Sequence, residues 1–214
     1  MYSILLSAGW PIWPLLIISI IGLAIAIERS WYLRQTHIFP KGLLESVFTL
    51  ANQLANPSPN QKSSDISLES LSHQSPASPL LICCLKEKMA GSQADSVLEE
   101  LQVIAQSTWL KLDRYLGILA TIATIAPLLG LFGTVVGMIE IFGSQGTING
   151  TGSPQQLAHG ISVALYNTAF GLLIAIPALA AWRGLRATAN QRQRECEEFT
   201  RQLFKKLFPS ESAK

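Results

Sequence analysis

Three stretches of the chain, Met1–Ile27, Tyr115–Ile139 and Ile161–Trp182, contain no charged residue. Each is close to or beyond the roughly 20 residues that a helix needs to cross a membrane. Between the first and second stretches the pattern turns amphipathic. A short helical run is expected at 41–56 and a long one from near Pro79, separated by the Pro/Ser-rich breaks PSPNQKSS at 57–64 and SHQSPASP at 72–79. From Leu98 the positions Leu98, Leu101, Ala105, Leu112, Tyr115 and Leu119 keep a 3,4 spacing, with Thr108 in the one gap. No Pro or Gly interrupts before Gly117, so this helix is expected to run straight into the second span. Its stripe can pack on a neighbouring helix of the same chain or on another subunit of a ring. Beyond Arg183 the pattern is again helical, with Phe199, Leu203 and Leu207 on one face.

Charge orients these elements. All 16 Lys and Arg residues lie in two blocks, since none precedes Arg29 and none falls between Arg114 and Arg183. Basic residues collect on the cytoplasmic side, which gives an N-out, C-in layout. The segments are a first transmembrane helix at 1–32, a cytoplasmic helical segment at 33–114 and a second transmembrane helix at 115–142. A loop on the outer side at 143–160, which the family resemblance given below makes periplasmic, a third transmembrane helix at 161–182 and a cytoplasmic C-terminal helix at 183–214 complete it. Arg29 and Arg34 follow the first apolar core instead of preceding it, so that run reads as an anchor and not as a cleaved signal. Trp10, Trp13, Trp31 and Trp182 stand near run ends, where an indole keeps its ring in apolar surroundings and its N–H near water.

The expected fold is therefore an all-α membrane protein. Only 14% of residues are charged, well below the usual quarter or so of a soluble domain. Residues 183–214 carry eight Lys/Arg against four Glu, but positive-inside topology accounts for that sign, and 29–114 is balanced, so no nucleic-acid partner is expected. Such a basic helix suits anionic lipid or a helical bundle. Cys83, Cys84 and Cys196 fall on the reducing side and are read as free thiols. Adjacent cysteines lack zinc spacing, and no metal or other cofactor is expected.

The spans hold small and weakly polar residues in place of charge. On the second, Ala120, Thr124, Pro127, Leu131, Thr134 and Met138 share a face, with Gly130, Gly133 and Gly137 beside it. On the third, Ala164, Thr168, Gly171 or Leu172, Ala175 and Ala178 do the same. Small residues let helix backbones approach where lipid supplies no hydrophobic drive. A threonine hydroxyl in such a helix can simply bond the carbonyl one turn back. Two such faces on neighbouring helices can instead line a passage through a ring or a groove for another helix. No enzyme motif is present: the FGSQG at 142–146 lacks the spacing of a nucleophile elbow, and no His-Glu-x-x-His occurs. Asn149-Gly150-Thr151 matches a glycosylation triplet that also arises by chance, and His159 reads as a solvated end residue.

GLFGTVVGMIEIF at 130–142 and GISVALYNTAFGLLIAIPALAAW at 160–182 resemble the second and third spans of the ExbB/TolQ/MotA proton-channel family, closest to ExbB-like biopolymer transport proteins. The resemblance implies a subunit of a pentameric ring in the bacterial inner membrane. It also implies a single-span ExbD/TolR-like partner whose membrane aspartate is protonated from outside and deprotonated inside. The resulting motion would pass to a TonB-like protein that opens outer-membrane transporters. Thr134, Thr168, Thr124 and Ala164 would line the channel, and Gly130, Gly133, Gly137 and Gly171 would pack helices. Those threonines offer hydroxyls without a fixed charge that would trap a proton.

One position departs from the pattern. ExbB- and TolQ-like chains usually carry a glutamate five residues before the threonine of the third span, where this chain has Val163. MotA-like chains also lack it. Glu140 is the only Asp or Glu between Asp113 and Glu195 and stands as a possible outer-end carboxylate. It lies about 9 Å along the helix from Thr134 but about 120° round it. The other reading is a carboxylate at a solvated span end, and Glu140→Gln with activity unchanged across pH would support that reading. The alternatives to an ExbB-like motor subunit are a TolQ-like envelope motor and a flagellar-stator-like subunit, which usually has four spans. Outside the family stand a non-conducting oligomeric scaffold and, remotely, a membrane enzyme.

Overall fold

The computed structural model describes residues 10–34, 38, 41–55, 75–145 and 154–209. Every regular element among them is helical: α1 (Ile12–Tyr32), α2 (Lys41–Ala55), α3 (Ser78–Ala90), α4 (Ala94–Asp113), α5 (Leu116–Gln145) and α6 (Pro154–Leu207). Three helical stretches are long and apolar enough to cross a membrane. Residues 143–145 and 154–160, expected in the loop, belong to α5 and α6, and the Asn149-Gly150-Thr151 triplet lies outside the described residues. The chain forms two compact units, Met1–Arg29 with Tyr115–Leu185 and Ser30–Arg114 with Arg186–Lys214.

The first unit is built from α1, α5 and the first part of α6. Its interior is thin, with Leu15, Ala126 and Ala175 at the centre and Leu129 and Ile174 packed on them. Ile20, Leu128, Leu173 and Ile176 face outward, as suits helices solvated by lipid chains. Trp10 meets Phe132 edge-on at 6.2 Å. Arg29 is buried, paired with Glu28 at 3.0 Å, and its guanidinium lies 5.0 Å from the centre of the Tyr115 ring.

The uninterrupted helix expected from Leu98 into the second span is broken, because α4 ends at Asp113 and Tyr115 adopts the left-handed conformation, φ 66°. The carbonyl of Tyr115 accepts the Leu119 N–H and so opens α5. A left-handed non-glycine residue costs about 1–2 kcal/mol, which a cation stacked on its ring offsets by about 0.5–2 kcal/mol. The long run expected from Pro79 is also two helices. Gly91, at φ 74°, closes α3 with its N–H on the Lys88 carbonyl, while the Ser92 N–H bonds the Glu87 carbonyl.

The second unit comprises α2, α3, α4 and the α6 tail. Buried Ala94, Val97, Leu101, Thr108 and Leu112 form the inner face of α4. Thr108 fits there because its hydroxyl donates to the Ile104 carbonyl at 2.9 Å. On α6, Ala189, Cys196 and Leu203 are buried at seven-residue intervals, followed by Leu207. Asp113 holds Arg186 at 2.6 Å.

Cys83, Cys84 and Cys196 are buried free thiols. Burial pushes Cys83 up to about 11 and both Cys84 and Cys196 up to about 12, against an ordinary 9.0. The fold therefore keeps protons that the unfolded chain releases. This contribution is whole below pH 9 and is lost as pH rises towards about 12. Comparing denaturation midpoints at pH 8 and at about pH 10.5 should show a smaller drop for a Cys83→Ala/Cys84→Ala/Cys196→Ala variant than for the native chain.

Candidate functional site

Glycine spacing on α5 brings its backbone against α6. A Cβ at Gly130 would stand 2.7 Å from the Asn167 carbonyl oxygen and 3.0 Å from Thr168 Cα, and one at Gly171 would stand 2.6 Å from the Ala126 carbonyl oxygen. Gly133 faces the Asn167 side chain, and Gly137 faces Ala164. The partners descend along α6 as the glycines ascend α5, so the helices run antiparallel. At Gly130, Gly133 and Gly171 these separations leave room for hydrogen only, whereas at Gly137 a Cβ would meet Ala164 Cβ at an ordinary 3.4 Å.

The register fixes the threonines. Extending the Gly133–Asn167 and Gly137–Ala164 pairs at 1.5 Å per residue places Thr134 and Thr168 within about 2 Å of one level. At about 100° per residue both flank the seam on the same side, while Ile122, Leu129 and Ile174 flank it on the other. There α1 packs, with Gly22 against Ile122 and Leu15 against the Leu129–Ile174 side. Among the described residues the first helix thus covers one side of the seam and not the threonine side.

Thr134 and Thr168 are half-buried and Thr124 is exposed. Thr134 donates to the Leu131 carbonyl at 2.6 Å, and Thr124 donates to the Thr121 carbonyl at 2.9 Å. Each hydroxyl oxygen keeps lone pairs for a donor outside the helix. Ala164 is buried against Gly137 and takes part in the α5–α6 packing itself. Glu140 is exposed near the end of α5. By the same register it is level with residues 160–161, about 3 Å beyond Val163 towards the α5–α6 connection. The side chains of Val163 and His159 lie outside the described residues. Among the described residues, no group of His, Cys, Asp and Glu could hold a metal ion.

Sequence reasoning passed over Asn167. Its side chain is 1% exposed and fills the notch at Gly133, where an added Cβ would lie 2.8 Å from Asn167 Cβ and 3.0 Å from Nδ2. The available signal was that Asn167 is the only amide in the 161–182 run. Burying an amide in a bilayer is costly unless it is hydrogen-bonded. Gly133→Ala should destabilise the protein by about 1–3 kcal/mol, as overpacking does. Asn167→Ala should recover only part of that in the double variant, because the Cβ contact persists. Detergent unfolding of the two single variants and the double gives the coupling, and strict additivity would contradict this packing.

Residues 72–198 match the MotA/TolQ/ExbB proton channel family. The chain is 32% identical to biopolymer transport protein exbB1 of Vibrio cholerae over 194 residues, covering 88% of this chain and 80% of that protein. It is 30% identical to a putative ExbB-like biopolymer transport protein of Synechocystis over 87% of this chain and 70% of that protein. A shorter match, 36% identical over 106 residues, links it to the Tol-Pal system protein TolQ of Haemophilus influenzae, covering 45% of this chain and 44% of that protein.

Proposed function

The chain belongs to the MotA/TolQ/ExbB proton channel family, and from that premise we propose that it is the ring-forming subunit of an inner-membrane motor driven by the proton motive force. The observation that carries this reading is the side of the α5–α6 seam that no described residue of α1 covers. Thr134 and Thr168 stand level there, and no ionisable side chain occurs from Leu116 to Ile139 or from Ile161 to Trp182 apart from Tyr166. Hydroxyls can pass or orient a proton but cannot hold one at neutral pH. The carboxylate must come from another chain.

That chain is a single-span partner of the ExbD/TolR kind, with an aspartate in its membrane helix. Five copies of the present subunit surround it, N-out and C-in, with Thr134, Thr168 and Thr124 towards the partner and Ala164 with the glycines holding α5 to α6. Proton transfer through the aspartate moves ring and partner relative to one another, and a TonB-like protein carries the motion to outer-membrane transport. The 32% identity to an ExbB protein across most of the chain favours this branch. The shorter TolQ match supports the TolQ-like alternative.

The test is native mass in detergent, alone and coexpressed with a single-span, aspartate-bearing protein. A ring of five 23.3 kDa chains that retains about two partner chains, the stoichiometry the family resemblance leads one to expect, supports the motor. A monomer or dimer that ignores every such partner returns the glycine seam to ordinary packing and favours a scaffold.

A further inference from the structure

Nothing in the run LKLDRYLGI at 110–118 calls for a helix end: it holds no Pro, and its one Gly, Gly117, lies past the break. The chain nevertheless leaves α4 at Asp113 and enters α5 at Leu116, with Tyr115 left-handed at φ 66°. An acid at a helix C-terminus opposes the helix dipole, and a left-handed tyrosine is strained. The break is therefore held from outside.

Two arginines meet it. Within the first unit, the Arg29 guanidinium lies 5.0 Å from the centre of the Tyr115 ring, and within the second, Arg186 holds Asp113 at 2.6 Å. Arg29 is the stronger hold. Its side chain is 4% exposed against 45% for Arg186, and burial strengthens a cation on a ring whereas exposed ion pairs contribute little. Arg29 also ends a packing stripe. Leu15, Gly22 and Arg29 are buried at seven-residue intervals on α1, and they face Leu129, Ile122 and Tyr115, spaced by seven in the opposite direction. The first two layers are apolar and non-directional, so Arg29 carries the one directional contact of the stripe.

We propose that Arg29 makes the α4–α5 joint a two-state element, broken while the guanidinium rests on the Tyr115 ring and continuous once a shift of α1 withdraws it. A left-handed backbone swings the Tyr115 side chain away from the direction a helix would give it, so stacking on Arg29 and helical continuation through residue 115 compete. With the ring released, the strain is uncompensated and the local sequence prevails. Displacement of the first span along α5 is thereby read out as a change from two helices to one. This goes beyond the proton-channel reading and does not depend on it.

Hydrogen exchange of the full chain in lipid nanodiscs tests the joint directly. In the broken state the N–H groups of Leu116, Gly117 and Ile118 belong to the first turn of α5 and have no intrahelical partner, whereas in a continuous helix they bond the carbonyls of Leu112, Asp113 and Arg114. Rapid exchange at these three amides is expected in the native chain. Arg29→Gln and Tyr115→Ala, which remove the cation and the ring separately, are each expected to slow it by about tenfold, the weight of the uncompensated strain. Arg29→Gln combined with Tyr115→Gly is expected to stay fast, because glycine takes the left-handed conformation unaided. Slow exchange in the native chain, or equally fast exchange in both single variants, would overturn the proposal. Faster exchange throughout α5 in those variants would overturn it too, by showing Arg29 and Tyr115 to be ordinary anchors of the helix pair.

Discussion

Gly171→Val should leave little folded protein in the membrane. The first side-chain carbon would stand 2.6 Å from the Ala126 carbonyl oxygen and 3.1 Å from Gly130 Cα. Both obstacles are backbone, so no rotamer change relieves them and the helices must part. Overpacking costs about 1–3 kcal/mol and occasionally more, and here the shift also strips contacts along Gly130, Gly133 and Gly137. Gly171→Ala should show the same direction with a smaller loss. Gly117→Ala is the control, because nothing lies within 4 Å of a Cβ there. It should be neutral or stabilising by up to about 1 kcal/mol through helix propensity. Thermal unfolding in detergent, with yield from membranes, separates the cases. Equal behaviour of Gly171→Ala and Gly117→Ala would mean that α5 and α6 do not meet at this point.

Thr168→Val should lower proton-driven transport in cells by about tenfold or more while expression and native mass stay normal. The change keeps shape and removes the hydroxyl. A hydrogen bond to a charged group is worth about 1.5–3 kcal/mol, which is roughly tenfold to a hundredfold in a rate. Thr134→Val should act in the same direction. Thr168→Ser should retain most activity, because it keeps the oxygen. Full activity in both valine variants would remove the threonines from the proton path and leave them as helix-bonded side chains.

Much of the fold could be read from where charge is missing. The gap between Arg114 and Arg183 delimits α5 and the apolar part of α6, and the 3,4 spacing of glycines pointed to close helix packing before any contact was known. Other features depend on distant partners. Tyr115 carries no local sign of a helix break, since the ring contact that offsets its strain comes from Arg29 on another helix. Ala164 was expected to line the channel, and its packing against Gly137 shows only once the register of α5 on α6 is known. Cys196 gave no signal as an isolated thiol, and its seven-residue spacing from Ala189 and Leu203 acquires meaning only with the neighbouring helices in place. Which side of the seam α1 covers was also illegible, because its outward and inward faces are both apolar. That coverage is what singles out the threonine side.

The central claim is that this seam conducts protons only when another chain supplies the acid. The most direct measurement is proton flux into liposomes under an imposed potential, with the purified subunit alone, with its single-span aspartate-bearing partner, and with Thr168→Val in the same complex. The account predicts no flux from the subunit alone, flux from the complex, and a drop of about tenfold or more with Thr168→Val. Equal flux with and without the partner, or an intact complex that passes no protons, would contradict it.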